Sequence, residues 1–115
     1  MITSTKTIEV EVRKEMRGGP GEVLNQALAN KADMPKNCRV FSIMTLKPGC
    51  GIGYHEHHGE MEFYHILEGE GIVDDNGTEK TIQAGDTMMT VNGEGHSITN
   101  NGDKDLKMIA CVIMD

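Results

Sequence analysis

The chain has 115 residues, with 11 Lys and Arg against 18 Asp and Glu, which gives a formal net charge of −7. This length supports one hydrophobic core rather than two independent domains, and the acidic balance, with no basic cluster beyond residues 14–17, excludes a nucleic-acid partner, which needs clustered cations for the phosphates. Three cysteines are an odd number without CxxC spacing, which predicts free thiols and a reducing, cytoplasmic setting rather than a disulfide framework.

The first 37 residues begin with an alternation of polar and apolar side chains that predicts a strand over residues 8–12. This segment lacks the continuous apolar run of a signal peptide or membrane helix, so we expect no membrane partner. Glycine and proline at 18–21 end the run. The next segment, 22–31, has apolar residues at helical spacing, and a short helix and an irregular connection fit it equally well.

The rest of the chain is a series of short apolar or alternating runs separated by glycine-containing turns. The predicted strands cover residues 38–46, 52–57, 61–67, 71–74, 78–84, 87–91, 96–99 and 106–114. Asn76 and Gly77 predict a hairpin, because this pair readily adopts the positive φ angles of a type I′ turn. About nine short strands with almost no helix predict an all-β sandwich or barrel.

A cluster of potential metal ligands lies in the middle of this series. His55 and His57 are two residues apart in a predicted strand, so both side chains point to the same face. Glu62 begins the next strand, and His96 begins a later one. Three imidazoles and one carboxylate suit a divalent transition metal with five or six ligands. Glu60 competes with Glu62, because spacing alone does not choose between them.

Neighbouring polar residues fit a solvated face better. Glu56 and His58 lie on the face opposite the histidine pair if the strand is regular, and His65 lies opposite Glu62. Tyr64 shares the parity of Glu62 and is expected to face the interior, where its hydroxyl meets a ligand or forms a hydrogen bond within the core.

Two spaced motifs resemble those of the cupin superfamily. The first consists of Gly49, His55, His57, Glu62 and Gly69, separated by five, one, four and six residues. The second consists of Gly85, Val91, Gly93, His96 and Asn100, separated by five, one, two and three residues. The family usually has proline where this chain has Val91, a difference that concerns a turn and not a ligand. The stretch from Gly53 to Glu62 looks most like single-domain cupins of the oxalate-decarboxylase-like type.

The resemblance implies a double-stranded β-helix, a jelly-roll barrel of two antiparallel sheets. It implies a single cupin domain over residues 1–115, with the barrel core at about 38–115 and an N-terminal strand and connection at 1–37. It also implies a metal held inside the barrel by His55, His57, Glu62 and His96, which selects Glu62 over Glu60. Small cupins of this type usually form homodimers through their N-terminal strands, which would cover residues 8–12.

Such a site predicts a metal-binding protein that acts on or binds a small carboxylate-type ligand. Manganese or iron is the expected metal, with nickel or zinc as alternatives, and the chemistry would be that of a decarboxylase, dioxygenase or isomerase. The other hypothesis is a non-catalytic, metal-dependent module that binds or senses a small molecule. Tyr64 and Glu60 are the candidate catalytic residues, with Glu94 as a further acid near the cavity mouth. The scarcity of aromatic residues predicts a cavity lined mainly by methionine and aliphatic side chains.

Overall fold

The computed structural model describes residues 1–115 as ten strands with three single 3₁₀ turns. The strands are β1 (Glu11–Lys14), β2 (Glu22–Ala27), β3 (Cys38–Leu46), β4 (Gly51–Glu56), β5 (Glu60–Glu68), β6 (Glu70–Asp75), β7 (Thr78–Gln83), β8 (Thr87–Thr90), β9 (Gly95–Thr99) and β10 (Leu106–Met114). The 3₁₀ turns cover Thr5–Thr7, Met16–Gly18 and Lys31–Asp33. None of these helical turns has the length and apolarity needed to cross a membrane.

Two antiparallel sheets enclose the core. The six-stranded sheet has the order β1-β2-β3-β10-β5-β8, and the four-stranded sheet has the order β4-β9-β6-β7. Thirteen buried hydrophobic residues from both sheets form one cluster between them. In β10 the side chains of Leu106, Met108, Ala110 and Val112 are buried while the residues between them are partly exposed, the period of two expected for a strand with one face on the core. The all-β, two-sheet prediction is therefore confirmed.

The segment 22–31 is neither a helix nor an irregular connection over most of its length, so both interpretations were wrong. Its first six residues form β2, which pairs with β1 on one side and β3 on the other. Val23 and Asn25 are buried and alternate with more exposed neighbours. Pairing along both edges outweighs the weak helical preference of the local sequence, because tertiary context readily overrides propensity.

The first strand is shifted along the chain relative to the prediction. β1 covers Glu11–Lys14 rather than residues 8–12, and a 3₁₀ turn at Thr5–Thr7 precedes it. The side-chain amide of Gln26 donates hydrogen bonds to the carbonyl oxygens of Thr5 and Ile8, each at 2.9 Å. This long-range contact fixes residues 5–8 as a turn, and a polar–apolar alternation could not reveal it.

The predicted hairpin between β6 and β7 is present. Asn76 and Gly77 have φ angles of 49° and 97°, and Asp75 pairs with Thr78 on either side of them. Positive φ at both central residues is the feature of a type I′ turn that makes Asn-Gly favourable.

Candidate metal centre

Three strands bring the predicted ligand residues together. His55 on β4 and His96 on β9 are directly opposite each other in the four-stranded sheet. His57 follows the end of β4 and is held by backbone hydrogen bonds to the β8–β9 turn, one to the carbonyl of Glu94 and one from the N–H of Gly93. Glu62 lies on β5 of the other sheet. The cluster therefore joins the two sheets inside the barrel.

The four side chains converge on a single point. One ligand atom from each of His55, His57, Glu62 and His96 lies within 4.8 Å of all the others. Nε2 of His96 is 3.1 Å from Nε2 of His57 and 3.1 Å from Nε2 of His55. Oε1 of Glu62 is 3.0 Å from Nε2 of His57 and 2.9 Å from Nε2 of His96. Sequence spacing left Glu60 and Glu62 as alternatives and the resemblance to cupins selected Glu62, which is the carboxylate that the structure groups with the three histidines.

The outer nitrogen of each imidazole has its own partner. Nδ1 of His55 lies 2.8 Å from the carbonyl oxygen of Gly53, and Nδ1 of His57 lies 2.5 Å from Oε2 of Glu60. Nδ1 of His96 lies 2.6 Å from the hydroxyl oxygen of Thr90. A carbonyl and a carboxylate only accept hydrogen bonds, so Nδ1 carries the proton in His55 and His57, and the Thr90 hydroxyl accepts equally well from His96. Neutral rings in this tautomer direct three Nε2 lone pairs at the centre.

In this tautomer the cluster is suited to hold a cation. The three Nε2 lone pairs face one another and Oε1 of Glu62, which is buried and has no hydrogen-bond partner. Oε1 of Glu62 lies 3.0 Å from Nε2 of His57, 2.9 Å from Nε2 of His96 and 3.9 Å from Nε2 of His55. Acceptors this close together without a donor repel one another unless a positive charge lies among them. Imidazole nitrogens and a carboxylate oxygen are donors that suit a divalent transition metal, so the residues present fit such an ion.

Burial and charge act on the cluster together. Burial raises the pKa of Glu62, but the close approach of the three imidazoles outweighs burial and holds that pKa below its usual range. The pKa of His57 is raised, mainly by its interaction with Glu62, whereas burial lowers the pKa of His96. Glu62 is therefore a carboxylate and His96 a neutral ring, the forms in which both residues bind metals.

Tyr64 is buried beside the cluster, as its parity predicted. Its ring stacks on the ring of His96 with centroids 4.6 Å apart and planes 14° from parallel. Burial raises the pKa of its hydroxyl well above the ordinary value, and the charge of Glu62 acts in the same direction. Tyr64 therefore supports one imidazole and keeps its phenolic proton at neutral pH.

Glu60 is near the cluster and faces away from its centre. Its two oxygens accept hydrogen bonds from the Arg39 guanidinium, at 2.9 and 2.6 Å, and Oε2 also contacts Nδ1 of His57. The Arg39 hydrogen bonds, followed by that of His57, lower the pKa of Glu60 to about 2. Glu60 is thus an ionised carboxylate that links Arg39 to His57.

The remaining polar residues near the motif do not join the cluster. His58 and Glu56 are exposed and contact only each other, at 3.4 Å. His65 interacts with the hydroxyl of Thr87 on the partly exposed face of β5. The carboxylate of Glu94 accepts a hydrogen bond from the N–H of Val91 and stabilises the β8–β9 turn. The assignment of Glu56 and His58 to a solvated face agrees with the structure, whereas Glu94, expected near the cavity mouth, belongs to the turn and does not line the cavity.

A cavity of about 310 Å³ opens onto the cluster. Its walls include His55, His57, Glu62 and Tyr64, and the other lining residues are Arg13, Met16, Arg17, Arg39, Val40 and Met44. The expectation of a lining made mainly of methionine and aliphatic side chains was therefore wrong, because three arginines reach the cavity. Two of them come from the N-terminal segment, whose fold the sequence did not reveal, although residues 14–17 form the one basic cluster of the chain.

Comparison with known proteins agrees with the fold. Residues 42–112 match the family described as cupin domain. The chain is 44% identical over 114 residues to a Thermotoga maritima protein named oxalate-binding protein, covering 99% of this chain and 94% of that one. A crystal structure of a predicted oxalate decarboxylase from Thermotoga maritima matches the whole of both chains with a TM-score of 0.94 and 43% identity. The polyketide cyclase RemF from Streptomyces resistomycificus shares the fold, with a TM-score of 0.78 and 17% identity over 99% of this chain and 78% of that one. On these grounds the chain belongs to the cupin superfamily.

Proposed function

We propose that this protein binds one divalent transition metal through His55, His57, Glu62 and His96 and uses it to hold a small carboxylate-type ligand. The observation that carries the proposal is the buried convergence of four acceptor atoms without a donor. A divalent ion bound to three neutral imidazoles and one carboxylate keeps a net charge of about +1 and has open positions for an anion.

The cavity supports a small, anionic ligand. Its volume of about 310 Å³ is at the low end of the range for ligand pockets. Arg13, Arg17 and Arg39 add positive charge beside the cluster. The name of the Thermotoga relative, oxalate-binding protein, agrees with this ligand class. Manganese or iron is the proposed metal, because the mixed nitrogen and oxygen donors suit both ions, and nickel and zinc are the alternatives. A cytoplasmic setting is part of the proposal and rests on the odd cysteine count.

Turnover and simple binding make different demands on the residues around the metal. Decarboxylation needs a group that gives a proton to the product carbon, and a redox-active metal would supply the electron chemistry. Glu60 is ionised and bound to Arg39, so we assign it to positioning His57. Tyr64 keeps its proton and lines the cavity, which makes it the candidate proton donor of an oxalate-decarboxylase-like enzyme. Without such a step the protein is a metal-dependent binding or sensing module.

The test has two stages. Purified protein is first loaded with Mn²⁺, and oxalate binding is measured by calorimetry with and without the metal. Binding that requires the metal supports the proposal, whereas equal binding by the chelated protein contradicts it. Incubation with oxalate, followed by assays for formate, carbon dioxide and peroxide, then separates an enzyme from a binding module.

A homodimer is the proposed assembly. The strand β1 is an edge strand of the six-stranded sheet, and Val12 within it and Val10 just before it are both about half exposed. Exposed, unpaired edges with apolar side chains are usually covered by another strand or another chain. Light scattering coupled to gel filtration should give twice the monomer mass of 12.6 kDa, and a monomer at micromolar concentration would contradict this assembly.

A further inference from the structure

We propose that Arg17 binds a second carboxylate of the ligand, so that the site selects a short dicarboxylate over a monocarboxylate. This inference rests on the proposed function and adds to it a specificity-determining residue outside the metal cluster. Arg17 lies in the connection between β1 and β2. We call residues 15–19 of this connection the strap.

The strap has a strained and well-defined backbone. Glu15 and Arg17 have φ angles of 48° and 55°, in the left-handed region that costs a residue with a side chain energy. The N–H of Gly18 donates to the carbonyl of Glu15, and the N–H of Gly19 donates to the carbonyl of Met16. These contacts make a tight turn and direct Met16 and Arg17 to the cavity. A left-handed backbone at residues with side chains persists only where the surrounding structure holds it in place.

Glycines on β4 impose this conformation. A Cβ atom on Gly53 would collide with the carbonyl oxygen of Arg17, and one on Gly19 would lie 2.6 Å from the carbonyl oxygen of Gly51. The backbones of the strap and β4 are therefore in direct contact, without side chains between them. Gly53 also accepts the hydrogen bond that orients His55. Gly53 thus contacts the strap backbone at Arg17 and, through its carbonyl oxygen, an imidazole of the metal cluster.

Arg17 is the arginine of the cavity that has no partner. Arg39 is paired with Glu60, and Arg13 contacts Glu11 at 3.4 Å, whereas the side chain of Arg17 makes neither an ion pair nor a hydrogen bond within the chain. Arg17 is exposed to solvent and lies in the wall of the cavity that opens onto the metal cluster. A cation held at the cavity by a strained strap and left unpaired is suited to binding an anion.

The charges of the site favour two carboxylates. A divalent ion next to Glu62 contributes a net charge of about +1, and Arg17 contributes a second positive charge. A ligand with one carboxylate neutralises the metal and leaves Arg17 without a partner. A dicarboxylate neutralises both, and the planar guanidinium forms paired hydrogen bonds with a carboxylate group.

The experiment compares oxalate with oxamate, which has nearly the same shape but an amide in place of one carboxylate. Calorimetry is carried out on the Mn²⁺-loaded full chain and on the variant Arg17→Asn. Asparagine removes the charge and tolerates the left-handed backbone, so the strap keeps its conformation. The wild type should bind oxalate at least about tenfold more tightly than oxamate, because hydrogen bonds between charged groups contribute that much. Arg17→Asn should lose this preference by weakening oxalate binding and leaving oxamate binding unchanged.

Lys14→Gln is the control, because it removes one positive charge from an exposed residue of β1 that does not line the cavity. It should keep the wild-type preference. Equal affinity of the wild type for both ligands, or a preference that survives in Arg17→Asn, would overturn the inference while leaving metal-dependent binding intact. Failure of the metal-loaded wild type to bind either ligand would instead refute the proposed function.

Discussion

Replacing Glu60 with glutamine tests whether the residues around the metal cluster set its affinity. Glu60 accepts two hydrogen bonds from Arg39 and one from Nδ1 of His57. The substitution keeps the size of the side chain and removes its charge. His57 then has a weaker acceptor, and the Arg39 guanidinium lies near the metal without its ion pair.

The expected loss follows from these two changes. Removing a hydrogen-bond partner of a metal-binding histidine costs about tenfold to a hundredfold in metal affinity, or about 1.4 to 2.7 kcal/mol. The unpaired charge of Arg39 acts in the same direction, but its side chain is 38% exposed and water screens it, so we expect a loss within this range. Unfolding of the metal-free protein should change little, since the Arg39 pair is partly exposed.

Competition with a fluorescent chelator measures the metal affinity directly. Glu56→Gln is the matched control, because Glu56 carries the same charge on the preceding strand yet contacts only His58. We expect Glu56→Gln to match the wild type and Glu60→Gln to bind the metal about ten to a hundred times more weakly. Equal affinities for the two variants would refute the role assigned to Glu60.

Three further predictions concern the strap, Tyr64 and the link between metal and stability. Gly53→Ala should lower the free energy of unfolding by about 1 to 3 kcal/mol in urea titrations, because the added Cβ collides with the strap. Gly102→Ala is the control and should have little effect, because its added Cβ would lie 3.5 Å from the nearest atom. Equal stability of the two variants would contradict the close approach of the strap to β4. Tyr64→Phe should keep stoichiometric metal and oxalate binding while losing any turnover of oxalate, and unchanged turnover would exclude its hydroxyl as the proton donor. Metal at one hundred times its dissociation constant should stabilise the fold by about 2.7 kcal/mol, and a melting temperature indifferent to chelator would argue against a site formed only in the folded chain.

Many strands of the fold were predictable because the local sequence of each shows an apolar or alternating run of residues between two turns. The bounds of β3 and β10 agree with the prediction to the residue, since both strands are long and the turns around them contain strong breakers. β2 was missed because it is a strand only by virtue of its pairing with β1 and β3. The local sequence of residues 22–27 does not reveal that pairing. The displacement of β1 has the same cause, a contact between Gln26 and residues far along the chain.

The site shows the same difference between features that the local sequence reveals and features that depend on long-range contacts. The three histidines could be grouped from the sequence because their spacing is tied to strand geometry, whereas Glu62 was selected over Glu60 only by the resemblance to the cupin motif. Their partners could not be found in this way, because each comes from a different part of the fold. Arg39 lies 21 residues before Glu60, and Thr90 is separated from His96 by the turn between β8 and β9. Arg17 reaches the cavity only through the contact of the strap with glycines on β4.

The most direct test of the metal centre is metal analysis of the purified protein and its variants by mass spectrometry. We expect one divalent transition metal ion per chain in the wild type, retained after dialysis, and its loss in His57→Ala, whose fold should persist because His57 is not part of the hydrophobic core. The exposed neighbour supplies the control, since His58→Ala should keep the full complement. Stoichiometric metal in His57→Ala with a native circular dichroism spectrum would contradict the central claim that these four residues form the metal centre.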